Sequence, residues 1–248
     1  MDNESWDNLA ADYDVSVEDN PSPLIVDYID QEIQILNVLC EKHARAKSNF
    51  SIIDMGAGTG RVVFALEKKL RNDSIEFFGV ENSDSMLNFA NHKNNNHDGV
   101  SKISFLKHDL TDSNLSEYFD SNDANIVMCS YNTLGVVPSD KRQRFIDNMK
   151  IIAGKNGLVV LTMFNGDDFG FVAPKLYRSM ITMIKQIDDD SFDEDNRVFH
   201  NSLGFRSQWF TKNEIKHMLN TSIDPNPIDV VVDDKRFTFG NVFVDRDV

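Results

Sequence analysis

Three glycines and two carboxylates form the part of this 248-residue chain best suited to hold a small polar ligand. Gly56, Gly58 and Gly60 alternate directly after the apolar run Ser51-Ile52-Ile53-Asp54-Met55. They precede Val62–Leu70, where apolar residues at 62, 63, 66 and 70 follow a helical period. Glycines remove Cβ atoms where a backbone turns sharply and a ligand touches it. A strand, a glycine turn and a helix N-terminus together predict a nucleotide-like ligand at the carboxyl end of a parallel sheet. Glu81 stands 21 residues after Gly60, at the end of a second apolar run, Ile75–Val80. One βα unit returns the chain to the neighbouring strand tip at that distance, where a carboxylate accepts hydrogen bonds from both ribose hydroxyls.

Spacing narrows the ligand. A dinucleotide turn reads G-x-G-x-x-G, its third small residue packing helix on strand. Here the third glycine comes one residue early and Arg61 holds the expected position. Asp54, two residues ahead of the turn, makes the pattern D-x-G-x-G-x-G, which resembles motif I of the class I S-adenosylmethionine (SAM)-dependent methyltransferases. The resemblance implies that Gly56, Ala57, Gly58, Thr59 and Gly60 lie against the methionyl part of SAM, with Glu81 and Asn82 at its ribose. Ser83-Asp84-Ser85-Met86 continues it, and Met86 is implied as an apolar wall for the adenine. After the third strand, Lys107-His108-Asp109-Leu110 resembles the family's adenine contact, with the Asp109 carboxylate near the exocyclic amine and the Leu110 N–H on the ring. On residue type alone, Asp109 also suits an Asx turn.

The fourth strand leads into Met128-Cys129-Ser130-Tyr131-Asn132-Thr133-Leu134-Gly135. The N-P-P-[YF] pattern of amino-methyltransferases acting on adenine or protein glutamine is missing there. Tyr131-Asn132-Thr133-Leu134-Gly135 is similar instead to the N-[ST]-[LIF]-G loop of small-molecule methyltransferases. That likeness implies Tyr131 and Asn132 as residues of the methyl-transfer site and Cys129 as a cofactor neighbour. Trp6-Asp7-Asn8-Leu9-Ala10-Ala11-Asp12-Tyr13-Asp14 resembles the family's W-x-x-x-A-x-x-Y-D segment, in which the aromatic residue, here Tyr13, closes over SAM. Methyl transfer asks chiefly for in-line alignment, worth roughly 7–11 kcal/mol at best. A general base matters only when the nucleophile arrives protonated. No His–carboxylate dyad is evident, and the six histidines lack metal-ligand spacing.

The elements that position these residues read as alternating strands and helices. Pro23 opens a helix over 24–45 with an apolar stripe of Ile25, Tyr28, Ile29, Ile33, Leu36, Leu39 and Cys40. Strands are predicted over 51–55, 75–80, 103–107, 124–129 and 158–163, with helices over 62–70, 84–92, 115–119 and 141–152 between them. Such alternation predicts a parallel sheet covered on both faces. Residues 1–22 read as polar and turn-rich. A helix is expected over 174–187, a strand within 199–209, and a last helix after the capping box Thr211-Lys212-Asn213-Glu214. Strands over 228–232 and 237–244 close the chain. The expected fold is α/β: a Rossmann-like, doubly wound, seven-stranded sheet, mostly parallel with an antiparallel last strand, plus a helical lid insertion. One methyltransferase domain is expected over 1–248, with an N-terminal helical cap over 1–47 and a substrate lid over 165–210.

Composition sets the class. With 41% apolar residues and a formal net charge of -15, the chain suits a globular protein and argues against a phosphate-tracking surface, so no nucleic-acid partner is expected. No apolar run approaches the ~20 residues of a membrane span. The opening Met1-Asp2-Asn3-Glu4 lacks a signal-peptide pattern, and Cys40 and Cys129 stand alone as expected buried thiols. A cytoplasmic protein, monomer or homodimer, is expected. The combined expectation is SAM-dependent methylation of a small-molecule acceptor, amine nitrogen preferred over hydroxyl. That preference rests on the loop and on the acidic run Asp188–Asp195 as an attraction for a cationic amine. A non-catalytic SAM-binding or scaffold protein is the alternative. An NAD-dependent oxidoreductase is disfavoured by Arg61, and an aminopropyltransferase by the absence of an acidic pair for its diamine.

Overall fold

The structure is a computed structural model that describes residues 3–47, 50–119, 124–220, 227–232 and 237–245. The first two and last three residues, counted above within the domain, lie outside it. The chain opens with helices α1 (Asn3–Ser16) and α2 (Pro23–Ala46), where the sequence suggested turns before residue 23. Pro23 suits the first turn of α2, whose missing N–H costs nothing there. Five alternating units follow. They are β1 (Ser51–Met55) with α3 (Arg61–Leu70), β2 (Glu76–Glu81) with α4 (Asp84–Asn95), β3 (Ile103–Lys107) with a 3₁₀ turn at Leu115–Tyr118, β4 (Ile126–Cys129) with α5 (Thr133–Val136) and α6 (Arg142–Ala153), and β5 (Leu158–Phe164).

Beyond β5 the chain leaves the sheet. Helix α7 (Phe169–Ser179) and the single turn α8 (Ile181–Ile184) lead into a small antiparallel sheet of β6 (Phe192–Asp193), β7 (Val198–His200) and β8 (Arg206–Gln208). The helix expected from Pro174 therefore starts earlier and breaks at Met180. Pro174, in the middle of α7, leaves the Gly170 carbonyl without its usual donor, and Lys185 at φ +66° ends the run. The strand expected within 199–209 is a hairpin, turned by Gly204 at φ +90°. Helix α9 (Lys212–Leu219) begins with the Thr211/Glu214 capping box, as its sequence predicted. Strands β9 (Ile228–Val232) and β10 (Phe237–Asp245) complete the main sheet.

The seven strands run in the order β3-β2-β1-β4-β5-β10-β9, parallel except that β10 is antiparallel to both of its neighbours. The order reverses between β1 and β4, which opens a crevice at the carboxyl ends of these strands. Every residue of β4 and β5 is buried, as central strands covered on both faces require. One core lies under α2, α3, α7 and the lid hairpin, the other under α6 and α9. Among the described residues no helix is long and apolar enough to cross a membrane.

Candidate functional site

The crevice is a cavity of about 370 Å³. One wall comes from the tips of β1, β2 and β3. Gly56 takes φ +87°, and a Cβ there would collide with the Thr133 side chain. Gly58 takes φ +55°, which brings its N–H 2.9 Å from Glu81 Oε2. Glu81 Oε1 accepts the N–H groups of Asn82 and Ser83 at 2.8 and 2.9 Å, so the carboxylate is fixed at the strand tip by three backbone donors. Burial outweighs those bonds and raises its pKa. Asp109 Oδ1 accepts the Thr111 N–H and hydroxyl, each at 2.8 Å. Burial works upward on Asp109, but the Thr111 bonds prevail and hold the carboxyl below its ordinary range. Asp109 is thus both an Asx turn and a wall of the cavity.

The opposite wall is aromatic. Strand β4 runs out into Ser130-Tyr131-Asn132, with Tyr131 at φ +51° and Asn132 at φ +62°, conformations that cost a non-glycine residue energy. Buried bonds hold them there. The Tyr131 N–H donates to Glu32 Oε1 at 3.0 Å and to Thr162 Oγ1 at 2.8 Å. The Asn132 N–H donates to the Thr162 carbonyl at 2.9 Å. Asn132 spends its amide on the Ser207 hydroxyl, the Gln208 carbonyl and the Phe164 N–H. It lines the cavity, yet its office there is to hold the loop and the lid hairpin together. Helix α1 bridges the two walls from above. Asp7 accepts from the Ser83 hydroxyl and the Ser85 N–H at the start of α4, and Asp14 accepts from the Thr59 hydroxyl at 2.6 Å. Trp6 on the same helix meets Tyr13 and the lid residue Phe205 edge-on.

A charge cluster lies behind this loop. Arg61 Nη2 is 2.8 Å from Glu32 Oε2, with the side chains 6% and 0% exposed. The other Glu32 oxygen receives the Tyr131 N–H, the Thr162 hydroxyl and the Tyr28 hydroxyl. The Arg61 guanidinium lies 5.1 Å from the centre of the Tyr131 ring. Burial pushes Asp54 up to about 7, against the pull of Arg61, and Ser130 donates to it at 3.3 Å. Two polar atoms here are buried without a partner among the described residues, Arg61 Nη1 and the Tyr131 hydroxyl.

Of the residues singled out from sequence, Tyr13, Gly56, Gly58, Glu81, Asn82, Met86, Asp109, Leu110, Tyr131 and Asn132 line the cavity together. Asp54, Ala57, Thr59, Gly60 and Cys129 do not: Asp54 and Cys129 are buried in their strands, and Thr59 and Gly60 shape the turn from behind. None of residues 188–195 lines the cavity, so the acidic run offers a bound amine no direct partner. Sequence reasoning missed Glu32 and saw Arg61 only as a misfit to a dinucleotide turn. Glu32 did leave a sign, a carboxylate one turn from Tyr28 and Leu36 on the apolar stripe of α2.

Residues 52–157 match the family model described as a methyltransferase domain. A carboxy-S-adenosyl-L-methionine synthase from Campylobacter hominis is 28% identical over 149 residues, 58% of this chain and 59% of that protein. The chain therefore matches only about three fifths of that relative's length. Among solved structures, the CcbJ methyltransferase from Streptomyces caelestis superposes with a TM-score of 0.58 at 18% identity, covering 89% of this chain and 96% of that one. The small RNA methyltransferase HEN1 superposes with a TM-score of 0.56 at 13% identity, covering 87% of this chain and 25% of that one. At such identities these two likenesses speak to the fold alone.

Proposed function

We propose that the chain carries a class I S-adenosylmethionine-dependent methyltransferase domain and methylates a small-molecule acceptor held under α1 and residues 165–210. The observation that carries the reading is Glu81, fixed by three backbone donors with lone pairs left at the cavity wall. Those lone pairs fit ribose hydroxyls. Asp109, Leu110 and Met86 suit an adenine, the carboxylate for its amine and the apolar side chain for its face. SAM brings a methyl group already activated on a sulfonium, so the protein's part is alignment and exclusion of water. Burial raises the pKa of the Tyr131 hydroxyl well above its ordinary range, so at neutral pH it offers a hydrogen bond to a bound group. A neutral nitrogen nucleophile fits a site of that kind, because its proton leaves only after the C–N bond has formed.

We keep amine over hydroxyl on the likeness of the Tyr131–Gly135 loop alone. A second reading, synthesis of a carboxylated SAM as the Campylobacter relative's name states for that protein, draws on the 28% identity. It needs a basic partner for a carboxylated co-substrate. Among the described lining residues that partner is Lys141, which stands by Asp109 at the adenine end. The methyl-transfer reading is the better supported.

Calorimetric titration with SAM, S-adenosylhomocysteine and NAD tests it. Micromolar binding of both sulfur nucleotides and not of NAD is expected. Glu81→Ala should weaken SAM by about 1–3 kcal/mol, the worth of a charge-assisted acceptor. An unchanged dissociation constant in that variant, or preference for NAD, would sink the site assignment. Mass spectrometry of the nucleotide after incubation with cellular carboxylic acids separates the second reading, which alone yields a carboxylated product.

A further inference from the structure

The acceptor end of the cavity is walled by Phe164, Tyr177, Met180, Met183 and Phe205, with Tyr131 at its floor. Its polar atoms are nearly all spent within the protein. The Tyr177 hydroxyl receives the Trp209 indole N–H at 2.9 Å, and the Ser207 hydroxyl receives the Asn132 amide at 3.1 Å. Both amide donors of Asn132 and its oxygen are engaged. The Tyr131 hydroxyl alone is buried and without a partner among the described residues at this end, with Tyr13, Arg61, Glu32 and Tyr177 as its electrostatic neighbours, and the Glu32 carboxylate is already paired with Arg61. The carboxylates of the lining, Glu81 and Asp109, belong to the tips of β2 and β3 across the cavity. A buried ion without a partner is strongly disfavoured, whichever its sign. Aromatic and thioether walls favour a flat apolar body instead.

We propose that this end takes a neutral aromatic ring bearing one amine or hydroxyl group, and that the Tyr131 hydroxyl hydrogen-bonds that group. The inference rests on the methyl-transfer reading in naming this end the acceptor's. An arylamine meets both demands, since it is uncharged at neutral pH and keeps its nitrogen lone pair. Aromatic faces also attract ammonium ions, which is the competing possibility that the probes must separate.

A matched naphthalene series makes the test: 2-naphthol, 2-naphthylmethylammonium, 2-naphthoate and naphthalene itself, titrated by calorimetry or competition with and without S-adenosylhomocysteine. The expected result is 2-naphthol binding at least about tenfold tighter than either charged analogue, the cost of burying an unpaired charge. Tyr131→Phe should weaken 2-naphthol about fivefold, the net worth of one hydrogen bond, and leave naphthalene unchanged. The same variant, free of ligand, should melt no lower than the parent, because the hydroxyl it removes has no partner to lose. Equal or tighter binding of the ammonium or carboxylate analogue overturns the proposal. So does Tyr131→Phe weakening S-adenosylhomocysteine while sparing 2-naphthol, which would assign the hydroxyl to the cofactor. Failure of S-adenosylhomocysteine to bind, with 2-naphthol still Tyr131-dependent, would instead remove the methyl-transfer reading and leave the aromatic site standing.

Discussion

Glu32 and Arg61 show how single residues set the shape of the candidate site. Removing either would strand the other's charge in the core, at a cost of about 3–5 kcal/mol. The pair holds more than itself, because Glu32 also fixes the Tyr131 N–H in a left-handed conformation. Asp54 lies in the same cluster, and its buried carboxyl is raised to about 7. The unfolded chain releases that proton near pH 4, so between about pH 4 and 7 the folded state binds the extra proton. The Asp54 contribution is therefore fully present below pH 4 and is lost as pH rises through 7. Asp54→Asn keeps a neutral group beside Ser130 and removes this slope. We expect its melting temperature to overtake the parent's above pH 7, with the gap closing toward pH 5. A constant gap across that range would show that Asp54 does not titrate there.

At the level of elements, α1 is a strap held from both sides. Asp7 reaches the start of α4, Asp14 and Glu18 share Lys93 on α4, and Asp12 pairs with Lys185 beyond α8. The Lys93–Glu18 and Lys185–Asp12 pairs are substantially exposed and contribute little each. Asp7 matters more, since it caps a neighbouring helix. Asp7→Ala should cost about 0.5–2 kcal/mol, felt locally. Hydrogen exchange should then quicken through α1 while α2 keeps its protection, and added S-adenosylhomocysteine should restore part of it. Unchanged exchange in α1 would mean that Asp7 is not the fastening. These contacts explain why residues before 23 read as turn-rich rather than as a helix with its own stripe. The side chains of α1 are mostly polar, and its helix depends on partners at positions 59, 83, 93 and 185, which no local window contains. The lid misread has a similar cause, for α8 packs on α1 and Phe205, beside the turn at Gly204, meets Trp6 of α1.

Over the whole molecule, the main sheet was legible because each βα unit is contiguous in sequence and carries its own signals. The strand-tip wall of the cavity followed, since Gly56, Gly58, Glu81 and Asp109 each belong to one turn at one strand tip. The aromatic wall carries no such contiguous signal, because Trp6, Phe164, Tyr177 and Phe205 come from four separated segments and meet only in the fold. Net charge was legible too, and it bears on the shared fold with an RNA methyltransferase. Phosphate recognition draws its affinity from cations that release bound counterions, and this chain has 25 lysines and arginines against 40 aspartates and glutamates. Lys141 is the basic side chain of the described lining, and Asp109 stands beside it. A phosphate chain would meet little that attracts it at the cavity mouth. Single-stranded RNA should accordingly show no binding at physiological salt up to roughly 100 μM, the weak end of non-specific affinity. Anisotropy of a labelled 20-mer, repeated from low to physiological salt, measures it. Micromolar binding with a steep salt slope would mean that a local basic track outweighs the net charge, and the acceptor would then have to be sought among nucleic acids.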